Sequence, residues 1–198
     1  SNSMMHWLTK EHAQPYEMLT VQYRMKDEIC RWVSRLYYEN KLVTAAEVDQ
    51  RPSVLVQNRR LLPQFKKPCL FFNITSGSEQ RFGPDSSASI SNHQEALVVV
   101  GVACYLVLKC GIEASDIGVI SFYSAQITLL NDQFRQVRSD KMRELTVSTV
   151  DGFQGAEKKI SLVSAVRTSE SVGFLNDPRR LCVGMSRAQD ARWIFGMF

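Results

Sequence analysis

The chain has 198 residues, 44% of them hydrophobic and 22% charged, and a formal net charge of +4. Those proportions suit one globular α/β domain with a real core, and they exclude a disordered tail or two full lobes. The longest apolar run, Ala96 to Leu108, is interrupted by Gly101 and Tyr105 and is too short to span a membrane.

Ser1-Asn2-Ser3 reads as a cloning remnant and residues 1–18 as a lead-in to a folded unit spanning 19–198. Met18 to Tyr23 is a short β-prone run. It leads into a helix whose Ile29, Trp32, Val33, Leu36 and Tyr37 recur at helical spacing and form one apolar face. Asn40 to Lys67 has no clear period and contains two prolines, which predicts an irregular excursion. Cys69 to Ile74 reads as a strand, and Thr75 to Ser89, rich in Ser, Gly and Asp, as a surface loop.

Ser91 and Gln94 have capping-box spacing and Gly111 is a natural stop, so Asn92 to Cys110 is expected to be a long helix. Asp116 to Tyr123 reads as a strand. Ser124 is placed to cap the next helix, which carries Ile127, Leu130, Phe134 and Val137 on one stripe. Leu145 to Thr149 and Ile160 to Val166 read as buried parallel strands. Asp177-Pro178 is a strong helix start, with Leu181, Met185 and Ala188 facing inward, and Ala191 to Phe198 closes the series as a strand. The alternation predicts a mainly parallel sheet flanked by helices.

Two absences matter as much. A phosphate-wrapping loop of the G-x-x-x-x-G-K-[ST] type requires Gly before Lys, and none of the ten glycines is followed by Lys. No apolar strand ends in an acidic pair suited to Mg²⁺. The chain alone is therefore expected not to hydrolyse a nucleoside triphosphate. Its three histidines and five cysteines show no metal-ligand spacing, so no metal site is expected. The odd, unspaced cysteines read as thiols in a reducing compartment, and no export signal is visible. A net charge of +4 permits contact with nucleic acid without demanding it.

What remains suits the far side of a nucleotide site. Arg24 follows the Tyr23 run and Arg187 ends the Pro178 helix, so both are expected near strand ends, where α/β folds bind ligands. Glu157, in a glycine-flanked loop, reads as a buried carboxylate. The cluster Arg135, Arg138, Lys141 and Arg143 reads as a solvated helix face or a phosphate-tracking surface.

Gln22-Tyr23-Arg24-Met25, Asp151-Gly152-Phe153-Gln154-Gly155-Ala156-Glu157 and Leu175-Asn176-Asp177-Pro178-Arg179-Arg180-Leu181 continuing to Ser186-Arg187-Ala188 resemble three consecutive motifs of the Upf-like superfamily-1 helicases, in order and spacing. The resemblance covers roughly Leu19 to Gly196 and implies the second RecA-like lobe of a two-lobed motor, with a P-loop NTPase fold but without Walker A and B motifs. It implies that Arg24 and Arg187 contact the γ-phosphate of ATP. Tyr23 would lie near the base and Glu157 near the ribose, with Gly155 allowing close backbone approach. ATP and Mg²⁺ would be held mainly by the first lobe.

Phe122-Tyr123-Ser124-Ala125-Gln126 resembles the family's T-P-Y-x-x-Q element. It implies nucleic-acid contacts by Tyr123, Ser124 and Gln126, joined by Ser148, Thr149 and Val150 on the sugar-phosphate backbone. The implied partners are single-stranded RNA or DNA and the first lobe, with no membrane and no obligate oligomer, in the cytoplasm or nucleus. The implied polarity is 5′ to 3′. Departures from the family pattern are Phe122 for Pro, Lys159 for an acidic residue, Cys182 for Asn and Gln189 for a basic residue. They leave room for a second reading, a degenerate lobe serving as a nucleic-acid or protein-binding scaffold.

Overall fold

The computed structural model describes residues 17–83, 89–168 and 177–197, together with His12 and Pro15. Most of the lead-in, and Leu175 and Asn176 of the last motif, lie outside the described residues. The centre is a five-stranded, wholly parallel sheet. Its strands are β3 (Cys69–Asn73), β6 (Ile117–Ser121), β7 (Thr146–Thr149), β8 (Lys158–Ser164) and β9 (Ala188–Gly196), in the spatial order β3-β9-β8-β6-β7.

Period-two alternation gives the sheet two apolar faces, and each is covered. Ile117 and Val119, Ile160 and Leu162, and Ala191, Trp193 and Phe195 point to one side. Helices His93–Cys104 (α4) and Ser124–Gln136 (α5) pack there, with Leu55 and Leu61 from the excursion. Phe65, Phe72, Trp193 and Phe195 form an aromatic cluster on this side, with centroids 4.4 to 6.0 Å apart. Such pairs add about 0.5–1.5 kcal/mol each beyond burial. Ile120, Val163 and Ile194 point the other way, against helices Asp27–Tyr37 (α1) and Pro178–Met185 (α6).

Several expectations change. The Met18–Tyr23 run is reduced to Val21–Gln22 (β1), which pairs in parallel with Val43–Thr44 (β2) outside the central sheet. On α1 the buried positions are Ile29, Cys30, Val33 and Ser34, while Leu36 is exposed. The 40–67 excursion contains β2, two short helices at Ala46–Gln50 (α2) and Val54–Gln57 (α3), and a tight turn at Pro63–Phe65. The expected loop holds an antiparallel hairpin, Glu79–Phe82 (β4) against Ser89–Asn92 (β5). Strand β7 is an edge strand and only half-buried.

Capping follows the same pattern of local rule and long-range override. Asp177 accepts from the N–H groups of Arg179 and Arg180, and Pro178 occupies the first helical position. For α4 the cap is Asn92, whose side chain accepts from Glu95 N at 3.1 Å, one residue beyond the expected Ser91. Gly111 adopts φ +72 where that helix stops, after a wider, under-wound final turn at Tyr105–Lys109. Ser124 does not cap α5. Ser89 does so from the hairpin, its Oγ accepting from Ala125 N at 2.8 Å and lying 3.1 Å from Ser124 Oγ.

Candidate functional site

Three segments meet at the amino-terminal edge of the sheet. Glu157 immediately precedes β8 and Arg187 immediately precedes β9. Strand pairing forces them together, since Lys158 N donates to Arg187 O at 3.0 Å. Arg24 arrives from outside the sheet, its position fixed by Lys26 N donating to Gln189 O at 2.8 Å. Arg24 Nε donates to Glu157 Oε2, and Arg24 Nη1 donates to Ser186 O at 3.2 Å. Gln189 Nε2 occupies the other carboxylate oxygen at 2.6 Å, and Arg187 Nε donates to Val183 O at 3.0 Å.

Tyr23, Arg24, Glu157 and Arg187 line one open groove of about 700 Å³. The Tyr23 residue is 66% exposed, so its ring is free of the core. Gly155, at φ +86, has nothing within 4 Å of the position a Cβ would take, so the loop leaves clear space beside its backbone. Two sequence expectations are corrected. The edge is the amino-terminal one, opposite to the carboxyl edge where ligands of open α/β sheets usually sit. Glu157 is not buried, its side chain being 42% exposed, because the strand it precedes has not yet entered the core.

Two guanidiniums, Arg24 and Arg187, and two carboxylates, Glu17 and Glu157, line the groove. The hydrogen bond from Arg24 holds the Glu157 carboxyl below its usual value, with burial opposing and Gln189 assisting. Arg187 is pushed below the usual arginine value by burial and then by the Arg24 charge. Arg51 also acts on Glu157, but it is engaged elsewhere, with Arg24 O at 2.9 Å and Asp190 at 3.4 Å. Arg24 is held by Glu157, whereas Arg187 bonds a neutral carbonyl and is the guanidinium placed to meet an anion.

The carboxyl edge carries the other candidates. Tyr123, Ser124 and Thr149 line a small groove of about 260 Å³ with Ser89, Asp151 and Arg180. Arg180 Nη2 and Nε donate to the two Asp151 oxygens at 2.7 and 3.2 Å. Ser124 is exposed and Ser148 and Thr149 are half-buried, with Thr149 Oγ1 accepting from Gly152 N at 3.2 Å.

Three residues do not present themselves as the resemblance implied. Gln126 is fully buried: its Oε1 accepts from Asn92 N at 2.8 Å, and its Nε2 donates to Asn92 O at 3.3 Å and Ser164 Oγ at 3.0 Å. Val150 is a core residue whose N–H is spent on Ser121 O at 3.0 Å. Tyr123 packs in the core beneath the groove. Each of these side chains shapes the edge from below.

Sequence reasoning missed the residue that organises this edge. Glu95 is completely buried on α4 and accepts from Ser164 Oγ, and from Val166 N at 3.0 and 3.1 Å. Burial pushes its carboxyl up to about 7, with the Ser164 and Val166 hydrogen bonds opposing. Val166 is held at φ +73, a costly conformation for a β-branched residue, and the Glu95 contact holds it there. No local signal marks Glu95, which stands beside the apolar run.

Of the basic cluster, Arg135 pairs with Asp132 at 2.7 Å and Arg143 with Asp140 at 2.8 Å. It borders a groove of about 580 Å³ that shares no residue with either edge site. Lys159 pairs with Asp116 at 2.9 Å. All five cysteines are free thiols. Among the described residues no group of three or more His, Cys, Asp or Glu is placed to hold a metal ion, and no helix is long and apolar enough to cross a membrane.

Comparison with known proteins matches residues 1–197 to the family model AAA_12, described as an AAA domain. Relatives include the regulator of nonsense transcripts 1 homolog of Drosophila melanogaster, 35% identical over 96% of this chain and 16% of its own length. Helicase SEN1 of Saccharomyces cerevisiae is 32% identical over 94% of the chain and 8% of its own length. DNA-binding protein SMUBP-2 of Mesocricetus auratus is 34% identical over 96% and 19%. The chain thus spans less than a fifth of these relatives. Among solved structures, the C-terminal domain of a possible DNA helicase from Lactobacillus plantarum WCFS1 superposes with a TM-score of 0.50 at 10% identity, covering 89% of this chain and 88% of that one. That likeness shows the fold alone, a RecA-like one.

Proposed function

The chain belongs to the AAA_12 family, among the Upf-like superfamily-1 helicases, and on that footing we propose that it is the second motor lobe of an ATP-dependent RNA or DNA helicase. Residues 19–198 form the lobe. In the whole protein ATP lies between this lobe and a first lobe that carries the phosphate-wrapping loop and the Mg²⁺ ligands. The single observation behind this reading is the convergence of Arg24, Arg187, Glu157 and Tyr23 on one groove.

The residues present fit one side of a nucleoside triphosphate. Arg24 and Arg187 supply positive charge for the terminal phosphate, Glu157 an acceptor for a ribose hydroxyl, and Tyr23 an exposed ring for the base. When bound, ATP supplies the scissile phosphoanhydride. Arg24 has to leave Glu157 to reach a phosphate, and its departure frees a carboxylate oxygen for the sugar. Arg187 keeps its hold on Val183 O, which sets its aim. Single-stranded nucleic acid tracks the opposite edge through Ser124, Ser148 and Thr149, by its backbone and with little sequence preference. The protein acts in a reducing compartment, cytoplasm or nucleus, consistent with five free thiols.

The test has two arms. The isolated chain shows no ATP turnover above background. In the longer protein, Arg187→Ala lowers turnover by about 10³–10⁵-fold, the range for removing an arginine that reaches a transferring phosphoryl group. Nucleic-acid affinity stays within about twofold, since the two edges are separate. Near-normal turnover in that variant removes Arg187 from the site.

A further inference from the structure

The β4–β5 hairpin leans on the start of α5, and between them lies a groove of about 540 Å³. Its lining includes Phe82, Ser89, His93 and Ser124. Phe82 is 55% exposed, and its cross-strand partner is the small Ser89, which leaves the ring uncovered. The small groove holding Thr149 and Arg180 uses the same Ser89 and Ser124 as its wall. The two grooves are therefore consecutive stretches of one path along the carboxyl edge.

The hairpin is fixed to that edge at its foot. Arg167 Nη1 reaches Glu79 Oε2 at 3.4 Å with both side chains largely buried, and Glu79 N donates to Thr168 Oγ1 at 3.4 Å. Gln126 takes both backbone groups of Asn92, at the end of β5. Phe82 thus stands on a platform whose position is set by the glutamine that the family motif associates with nucleic acid.

We infer that Phe82 is a base-stacking residue, extending the single-strand path from Thr149 and Ser124 onto the β4–β5 hairpin. This rests on the proposed nucleic-acid reading and adds a subsite outside its motifs. The chemistry separates along the path. Ser124, Ser89 and Thr149 offer hydroxyls to phosphate, whereas the Phe82 groove has no Lys or Arg among the described residues of its lining. Its Asp132 is already paired with Arg135, so the groove offers a ring to a base and no cation to a phosphate. An exposed ring beside His93 and three serines suits stacking, which tolerates any base, better than a protein interface, whose core requires contiguous apolar surface. Gln126 then acts on nucleic acid as a positioning residue, by placing the hairpin.

The test is fluorescence anisotropy of the chain with labelled oligo(dT) and oligo(U) of about 15 nucleotides, near the upper site size of single-strand binding folds. Phe82→Ala weakens binding about tenfold, Phe82→Trp restores it, and the slope against salt is unchanged because no phosphate contact is lost. Circular dichroism confirms that both variants fold. Equal affinity of Phe82→Ala and the parent chain overturns the subsite and leaves the motor reading intact. Equal weakening by Ala and Trp overturns stacking. A parent chain that binds neither oligonucleotide overturns the subsite and the nucleic-acid part of the proposed function together.

Discussion

Replacing Glu95 by Gln separates what the carboxyl does as a hydrogen-bond acceptor from what it does as an acid. In the fold its proton is held until about pH 7, because burial outweighs the hydrogen bonds from Ser164 and Val166; the ordinary value is 4.5. The folded pKa is raised, so between those values the native state binds more protons than the unfolded chain. The stabilising contribution is complete below about pH 4.5 and is lost as pH rises through about 7. At about 1.36 kcal/mol per pH unit, the gap comes to about 3 kcal/mol.

A glutamine keeps the shape and still accepts from Val166 N and Ser164 Oγ, but it has no proton to lose. Glu95→Gln should match the parent to within about 1 kcal/mol at the acid end and exceed it by about 3 kcal/mol near pH 8. For a chain of this size, that is roughly 6–12 °C in melting temperature. Thermal and urea unfolding of both chains across the window measure it. Parallel curves would refute the argument. Equal destabilisation of the variant at both ends would show instead that the carboxylate is required in its charged form.

Two further expectations concern the amino edge and the last helix. The Glu157 carboxyl, followed by carbon-detected NMR, should titrate higher in Gln189→Ala than in the parent. Arg24→Ala should raise it further, since Arg24 is the larger cause of the depression; an unmoved Glu157 in both variants would dissolve this cluster. Asp177→Ala removes the acceptor for Arg179 N and Arg180 N and should cost about 1 kcal/mol, a fall of about 2–4 °C in melting temperature. No change there would mean that Pro178 alone starts the helix.

Legibility in the sequence followed the range of the physics. Asp177-Pro178 was readable because cap and helix are chain neighbours. Strands β6 and β8 were readable because a strand buried on both faces leaves a run of apolar residues. Strand β9 was legible only from Ala191; its start at Ala188, expected on the inner face of the preceding helix, was hidden because Gln189, Asp190 and Arg192 break the apolar run. Ser124 misled because its capping role was taken by Ser89, 35 residues away, and no local rule finds such a partner. The Met18–Tyr23 run misled because β-propensity does not say which sheet a strand joins. Arg24, Glu157 and Arg187 were nameable as a set only through their resemblance to a motif. Their meeting depends on the start of β9 receiving both Lys158 and Lys26 backbone donors. Gln126 shows the converse: the motif marks the residue, and only burial reveals that it works through Asn92.

The two candidate sites sit at opposite ends of the same strands, which constrains how this lobe can couple them. Strand β8 begins beside Glu157 and ends at Ser164, which bonds both Glu95 and Gln126. Seven strand residues at about 3.3 Å each separate the edges by roughly 20 Å. Strands β8 and β6 have parallel neighbours on both sides and a packed apolar layer on each face, so sliding one relative to the others would break ladder bonds and open voids. On the motor reading, a pull on Arg24 or Arg187 at the amino edge therefore moves the carboxyl edge with it as one body. Displacement of nucleic acid then comes from rotation of the whole lobe against its partner, with Arg24 trading Glu157 for phosphate as the local event that starts it.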